Sequence, residues 1–95
     1  MKQSYTVNIL PAARVAIEVQ LPLKVAAAVI EFIYGPLAEN PHRLGKSLRG
    51  DLAGMMVARR GEYRVIYEIY EIYDNEIMIE IVLVSHRKNA YRRKN

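Results

Sequence analysis

Polar and apolar residues alternate from Ser4 to Leu10, with Tyr5, Val7 and Ile9 on one side and Ser4, Thr6 and Asn8 on the other, which predicts a first β-strand. Pro11 then suits the first turn of a helix, where its missing N–H costs nothing. From Ala12 to Leu21 two periods compete. Val15, Ile17, Val19 and Leu21 alternate as in a strand, whereas Ala13, Ile17 and Leu21 also fall on one helix face, and the pattern leaves both readings open. Pro22 opens a clearer second helix, in which Val25, Val29, Phe32 and Ile33 form one apolar stripe and Gly35-Pro36 bends or ends it. The following "ENPHRLGKSLRGDLAG" is rich in Gly and polar residues and reads as loop.

The second half alternates as sheet. Met55 to Ala58 is short and apolar, Arg60-Gly61-Glu62 is a turn, and Tyr63 to Ile69 puts Tyr63, Val65, Tyr67 and Ile69 on one face and Arg64, Ile66 and Glu68 on the other. Asp74-Asn75 signals another turn, and Ile77 to Val84 is apolar enough for a central strand. Within this half the chain stutters, Glu68-Ile69-Tyr70 and then Glu71-Ile72-Tyr73. A three-residue repeat in a period-two strand must exchange its faces, so the register is expected to end near Ile69, with the extra residues lengthening the hairpin or forming a bulge.

Composition places the chain among ordinary globular proteins, with 95 residues, 52% hydrophobic and 25% charged, and no linker or low-complexity tract divides it, so residues 1–95 are read as a single domain. It has no cysteine, which excludes a disulfide framework and thiolate metal sites. With only His42 and His86 as further soft ligands, no metal site or other cofactor is expected. The start, MKQSYTVNIL, lacks the apolar region and cleavage site of a signal peptide, and the most apolar stretch is far shorter than the roughly 20 residues of a membrane span, so a cytoplasmic protein with no membrane partner is expected.

Charge changes the picture more than its net value of +4 indicates. Residues 42–64 carry six basic and two acidic side chains, 65–85 none and five, and 86–95 five and none. If the acidic segment folds back as a hairpin, the two basic blocks meet and form one positive surface. "GKS" at Gly45 to Ser47 lacks the earlier glycine of a phosphate loop, with Asn40 in its place, and is set aside.

Together, "LGKSLRGDLAG", "ARRGEYRVIYEI" and "VSHRKNAYR", behind a strand and two helices, resemble the RelE family of toxins from bacterial toxin–antitoxin pairs, within the RelE/ParE superfamily. The resemblance covers nearly the whole chain. It implies an α+β fold with an N-terminal strand and two antiparallel helices packed on a mainly antiparallel four-stranded sheet, and it resolves Ala12 to Leu21 as helix. It also implies a ribosome-dependent endoribonuclease, an mRNA interferase acting on mRNA in the ribosomal A site and held inactive by a cognate, RelB-like antitoxin.

The chemistry required is attack of a 2′-hydroxyl on the adjacent phosphate without metal, which needs a base, an acid and cations where charge grows on phosphorus. Arginine fits the last role through its permanent charge and paired donors. By resemblance, Arg64 and Arg87 fall at the family's active-surface arginines and Tyr91 at its C-terminal tyrosine, while His86 is the candidate acid or base in that block, imidazole being the side-chain type suited to proton transfer at neutral pH. Well-studied members carry lysines on the strand before the turn, where this sequence has about Met55 and Val57. Replacement charge is expected from Lys46, Arg49, Arg59 and Arg60, and Lys88 and Arg92 are expected to hold RNA beside Tyr91. Two alternatives are a ParE-like toxin that poisons gyrase through protein contacts, and a catalytically inactive basic module that binds RNA or a partner. If Ala12 to Leu21 is a helix, Val15 and Val19 point away from Ile17 and Leu21, giving the segment a second apolar side for the antitoxin to cover.

Overall fold

In the computed structural model, residues 4–72, Asp74 and residues 76–86 are described. The chain forms β1 (Ser4–Ile9), α1 (Pro11–Val15), α2 (Leu23–Phe32), α3 (Pro41–Leu44), β2 (Lys46–Ser47), β3 (Met56–Arg60), β4 (Tyr63–Glu71) and β5 (Glu76–His86). Both longer helices run on into wider π-helical turns, α1 through Ala16–Gln20 and α2 through Ile33–Leu37. The Leu21 N–H donates to the Ala16 carbonyl at 2.9 Å, the five-residue reach of such a turn. Thus Ala12 to Gln20 is helical with Leu21 extended at its end, and Gly35-Pro36 lies within a helical run that continues through Leu37. No helix among the described residues is long and apolar enough to cross a membrane.

One five-stranded sheet has the order β1-β5-β4-β3-β2, with β1 parallel to β5 and every other pairing antiparallel. The expected four strands are joined by a fifth, because Lys46 and Ser47 of the presumed loop pair with Val57 and Met56. The helices cover one face. Ala13, Ala16, Val29, Ile33 and Leu37 are buried against Val65, Tyr67, Ile77, Ile79 and Ile81, so the alternation read from the sequence selects the core face of β4 and β5. Tyr67 is fully buried, and its hydroxyl donates to the Pro41 carbonyl at 2.6 Å. This bond ties α3 and the start of β2 to the sheet. Gly45 passes so close to that hydroxyl that an added Cβ would overlap it, which explains why no larger residue fits there.

Two expectations about the strands are corrected. β4 keeps its register through the stutter as far as Glu71, which pairs with Ile77. The irregularity lies earlier: Ile66 pairs with Leu83 and Tyr67 with Ile81, leaving Val82 as the extra residue of a bulge in β5. The second half of the repeat does exchange faces, and it is tolerated because Glu71 and Ile72 are exposed at the end of the sheet. Tyr73 lies outside the described residues. β3 also runs beyond Ala58 to Arg60, so Arg59 and Arg60 are strand residues and not loop residues. On the helical layer, Val15 is 46% and Val19 74% exposed while Leu21 is buried, which is the two-sided apolar segment expected from the sequence.

Candidate nucleic-acid interface

Register determines which candidate cations share a face. Residues directly opposite in neighbouring strands project to the same side of a sheet. Arg59 pairs with Arg64 and Arg64 with Ser85, and Arg64 alternates with buried Tyr63 and Val65, so Arg59, Arg64 and Ser85 form a row across the face away from the helices. The next open row is Lys46, Val57, Ile66 and Leu83, a cation followed by three apolar residues. Arg59, Arg64 and Lys46 thus share the open face, with Arg59 and Lys46 exposed and Arg64 half-buried.

Other candidates lie elsewhere. Arg60 faces the helices opposite Tyr63, its guanidinium carbon 4.8 Å from the centre of the Phe32 ring. There it borders an open groove of about 700 Å³ between α2 and the β3–β4 turn, floored by Phe32, Ala28 and Tyr63. A cation–π contact of this kind explains Arg60 by packing. The Tyr63 hydroxyl donates to the Ala28 carbonyl at 3.3 Å, and its pKa is raised, mainly by burial and also by Glu31, against the lowering effect of Arg60. Arg49 is exposed just before the 3₁₀ turn Gly50–Leu52, in the loop between β2 and β3.

His86 pairs with Tyr63 and therefore stands on the helix side at the end of β5, one residue beyond Ser85 in the arginine row. Its ring, 12% exposed, lies with Nε2 3.3 Å from a Glu62 carboxylate oxygen. The structure therefore does not bring His86 together with Arg64 as the sequence reading expected, because one step along a strand reverses the side-chain direction. Arg87, Lys88, Tyr91 and Arg92 lie outside the described residues. Among those described, no group of three His, Asp or Glu side chains is placed to hold a metal ion.

Beyond the apolar row the open face changes sign. Glu68 and Glu80 are opposite each other, with Asn8 beside Glu80 in β1. In the next open row, the Tyr70 pKa is raised, first by hydrogen bonding to Glu68, then by burial and the negative charges of Glu68 and Glu80, with hydrogen bonding to Glu80 contributing least. Sequence reading missed this acidic pairing. The alternation of Arg64, Ile66 and Glu68 put one carboxylate on the face, but only the strand register shows that Glu80 stands against it.

A small α+β toxin is the class to which this helix-backed sheet with a charged open face corresponds, and comparison with known proteins identifies it further. Residues 12–91 match the family described as ParE toxin of type II toxin–antitoxin systems, and the chain belongs to that family. It is 52% identical over 73 residues to Toxin RelE of Mycobacterium tuberculosis, covering 77% of this chain and 72% of the relative. To Toxin RelG of the same organism it is 44% identical over 89 residues, covering 94% and 98%. Its fold matches a toxin–antitoxin complex, RelBE2 of M. tuberculosis, with a TM-score of 0.79 and 43% identity over 88% of this chain and 99% of that one. A YoeB/ParE toxin from Agrobacterium tumefaciens, 16% identical with a TM-score of 0.69 over 85% of this chain and 97% of that one, shares the fold.

Proposed function

We propose that this chain is the toxin of a type II module and a ribosome-dependent endoribonuclease that cleaves mRNA without a metal. The observation that carries this reading is the row in which Arg59 stands opposite Arg64 on the open face, with Lys46 in the neighbouring row. Guanidinium groups on neighbouring strands of one open face offer paired donors to a single anion. A phosphate bridging them would place a phosphodiester over the sheet. There, two guanidinium groups stabilise the charge that grows on the non-bridging oxygens as the 2′-oxygen attacks and the 5′-oxygen leaves. The 2′-hydroxyl proton passes to a base and the leaving oxygen takes one from an acid. His86 and Tyr91 are the side chains assigned to these transfers, and for His86 the role requires its ring to leave Glu62 and turn past the strand end.

Inducing the chain in cells and mapping new 5′ ends on messages tests this reading. Codon-phased cuts that disappear in the Arg64→Ala variant support it, and inhibition of translation or growth with no new ends overturns it. A gyrase-directed toxin is the second reading. It is favoured by the apolar row Val57, Ile66 and Leu83 at the centre of the face, in which Val57 stands at about one of the two positions where the RelE resemblance leads one to expect a lysine.

The partner in this reading is a RelB-like antitoxin, as in the RelBE2 complex whose toxin resembles this chain. The exposed Val15 and Val19 side of the first helical segment is its proposed docking site. Val15→Asp with Val19→Asp is expected to weaken the antitoxin complex by at least about tenfold, measured by titration calorimetry, and to leave RNA cleavage intact. An unchanged affinity would move the docking site elsewhere.

A further inference from the structure

The groove between α2 and the β3–β4 turn holds chemistry that neither the core nor the open face uses. α2 contributes Lys24, Ala28 and Glu31 to it, and the end of the β3–β4 hairpin contributes Arg60, Gly61 and Glu62. Each side therefore carries one cation and one carboxylate, and Ala28 and Gly61, the smallest of these residues, keep the space between them open. Its volume, about 700 Å³, lies within the range of small-molecule sites.

Arg60 gives the groove its shape. The guanidinium carbon lies 4.8 Å from the centre of the Phe32 ring, which holds one face of the cation against the aromatic floor. The side chain is exposed and lines the groove, so its other face is turned to the cavity. A planar cation already seated on one ring is a stacking platform that loses little freedom when a second ring settles on it. We infer that the groove is a nucleobase-binding site, in which the base stacks on the outer face of Arg60.

The charges of the rim choose this class of ligand. A purely anionic ligand would meet Glu31 and Glu62, and a purely cationic one would meet Lys24 and Arg60. A base has apolar faces and an edge that presents donors beside acceptors, so a carboxylate accepts from its N–H groups while Lys24 donates to its ring nitrogens or carbonyl oxygens. Glu62 already lies 3.3 Å from Nε2 of His86, so Glu31 is the carboxylate assigned to the base edge. The groove also adjoins the proposed RNA face. Arg59 of the open face precedes Arg60 in β3, and beyond them the turn Gly61-Glu62 is all that separates the two sides of the hairpin. Resting on the proposed function, the source of the base is an unstacked nucleotide of the message whose strand passes over the hairpin end, and the site contributes sequence preference there. A free nucleotide presents the same chemistry, and the test separates the two.

Titration of the purified full chain, followed by the backbone amide signals in NMR spectra, tests the site independently of cleavage. The probes are the common nucleoside 5′-monophosphates, ribose 5-phosphate and a short single-stranded RNA. Nucleotides are expected to shift the amides of Ala28, Glu31 and Gly61, and ribose 5-phosphate to leave them in place. Arg60→Lys keeps the charge and loses the plane, and is expected to weaken nucleotide binding about tenfold, the scale of one lost stack. Ala28→Leu fills the slot from an exposed helix position, leaves Arg59 and Arg64 untouched, and is expected to weaken binding as much. Circular dichroism checks that both variants fold. Short RNA that shifts these amides at lower concentration than any mononucleotide assigns the base to the message strand, equal binding assigns it to a free nucleotide, and either supports the site. No shift in the groove with any nucleotide or RNA overturns it, as does binding that ribose 5-phosphate reproduces or that neither variant weakens. A chain that shows these shifts but makes no new 5′ ends in cells loses the nuclease reading and keeps the groove, whereas one that cuts messages and shows no shifts loses the groove alone.

Discussion

The two faces of the sheet obey different rules. On the helix side, Val65, Tyr67, Ile79 and Ile81 have no exposed surface, and the two tyrosines on β4 satisfy their hydroxyls on the Ala28 and Pro41 carbonyls. No buried side-chain polar atom among the described residues lacks a hydrogen-bond partner. The buried residues there are explained by packing. On the open side, Arg59 opposes Arg64, Glu68 opposes Glu80, and half-buried Val57 and Ile66 and exposed Leu83 lie between them. In the proposed function the paired guanidinium groups serve to hold an anion.

If that contrast is correct, truncation on the helix side should be felt as stability and truncation on the open side as activity. The largest effect is expected for Tyr67→Ala, which empties the centre of the core and leaves the Pro41 carbonyl without its donor. A loss of about 3 to 5 kcal/mol is expected in chemical denaturation. Gly45→Ala attacks the same contact from the other side, and forcing a Cβ onto the hydroxyl is expected to cost about 1 to 3 kcal/mol. A Tyr67→Ala chain that unfolds at the wild-type midpoint would show that the hydroxyl anchor and its surroundings do not hold α3 and β2 in place.

On the open face, Arg64→Ala is expected to slow cleavage of ribosome-bound message by about 10²- to 10³-fold, comparable to loss of one oxyanion-type donor, with unfolding unchanged or slightly delayed. A variant that cleaves at the wild-type rate would separate the arginine row from catalysis. Equal losses of rate and stability would erase the distinction between the faces.

Alkaline titration sharpens the comparison from the core side. Burial pushes the Tyr67 pKa up to about 12 from 10.0. Its neutral form is favoured by folding, so the stability it contributes is complete below pH 10, where neither state ionises. That contribution is lost as pH rises toward 12, because the unfolded chain releases the proton first. Wild-type stability is therefore expected to fall across this window more steeply than that of Tyr67→Phe. Parallel curves would mean that another group controls the alkaline transition.

Much of this architecture was legible in the sequence because it follows from short-range pattern. Alternation in β4 identified its core face, and Pro22 with the Val25 to Ile33 stripe identified α2. What stayed hidden depended on pairing between distant segments. Lys46 and Ser47 carry no strand pattern of their own and become β2 only by lying against Val57 and Met56. The bulge at Val82 is a property of the β4–β5 register, and the stutter that drew attention to register lies beyond it, at a sheet end where either face is exposed. The site divided in the same way. Arg64 was found because its face can be read from parity, and the resemblance supplied its role. Arg60 and His86 were grouped with it because neighbours in sequence are easily taken for neighbours in space, whereas one-residue steps send both to the helix side.

The smallest expected effect tests whether the acidic pair on the open face costs stability. Glu80 stands opposite Glu68, and cross-strand pairs of like charge are unfavourable by about as much as opposite charges are favourable, roughly 0.2 to 1 kcal/mol. Glu80→Gln removes one of the two charges at nearly constant shape. The Tyr70 hydroxyl keeps an acceptor, because Glu68, its principal partner, is untouched and the glutamine carbonyl can also accept. The variant should therefore unfold later than wild type by that margin in low salt. The gain should shrink as salt screens the repulsion that the wild type otherwise carries. A gain insensitive to salt would assign it to packing or β-propensity, and a loss of stability would mean that the carboxylate pair is already satisfied within the single chain.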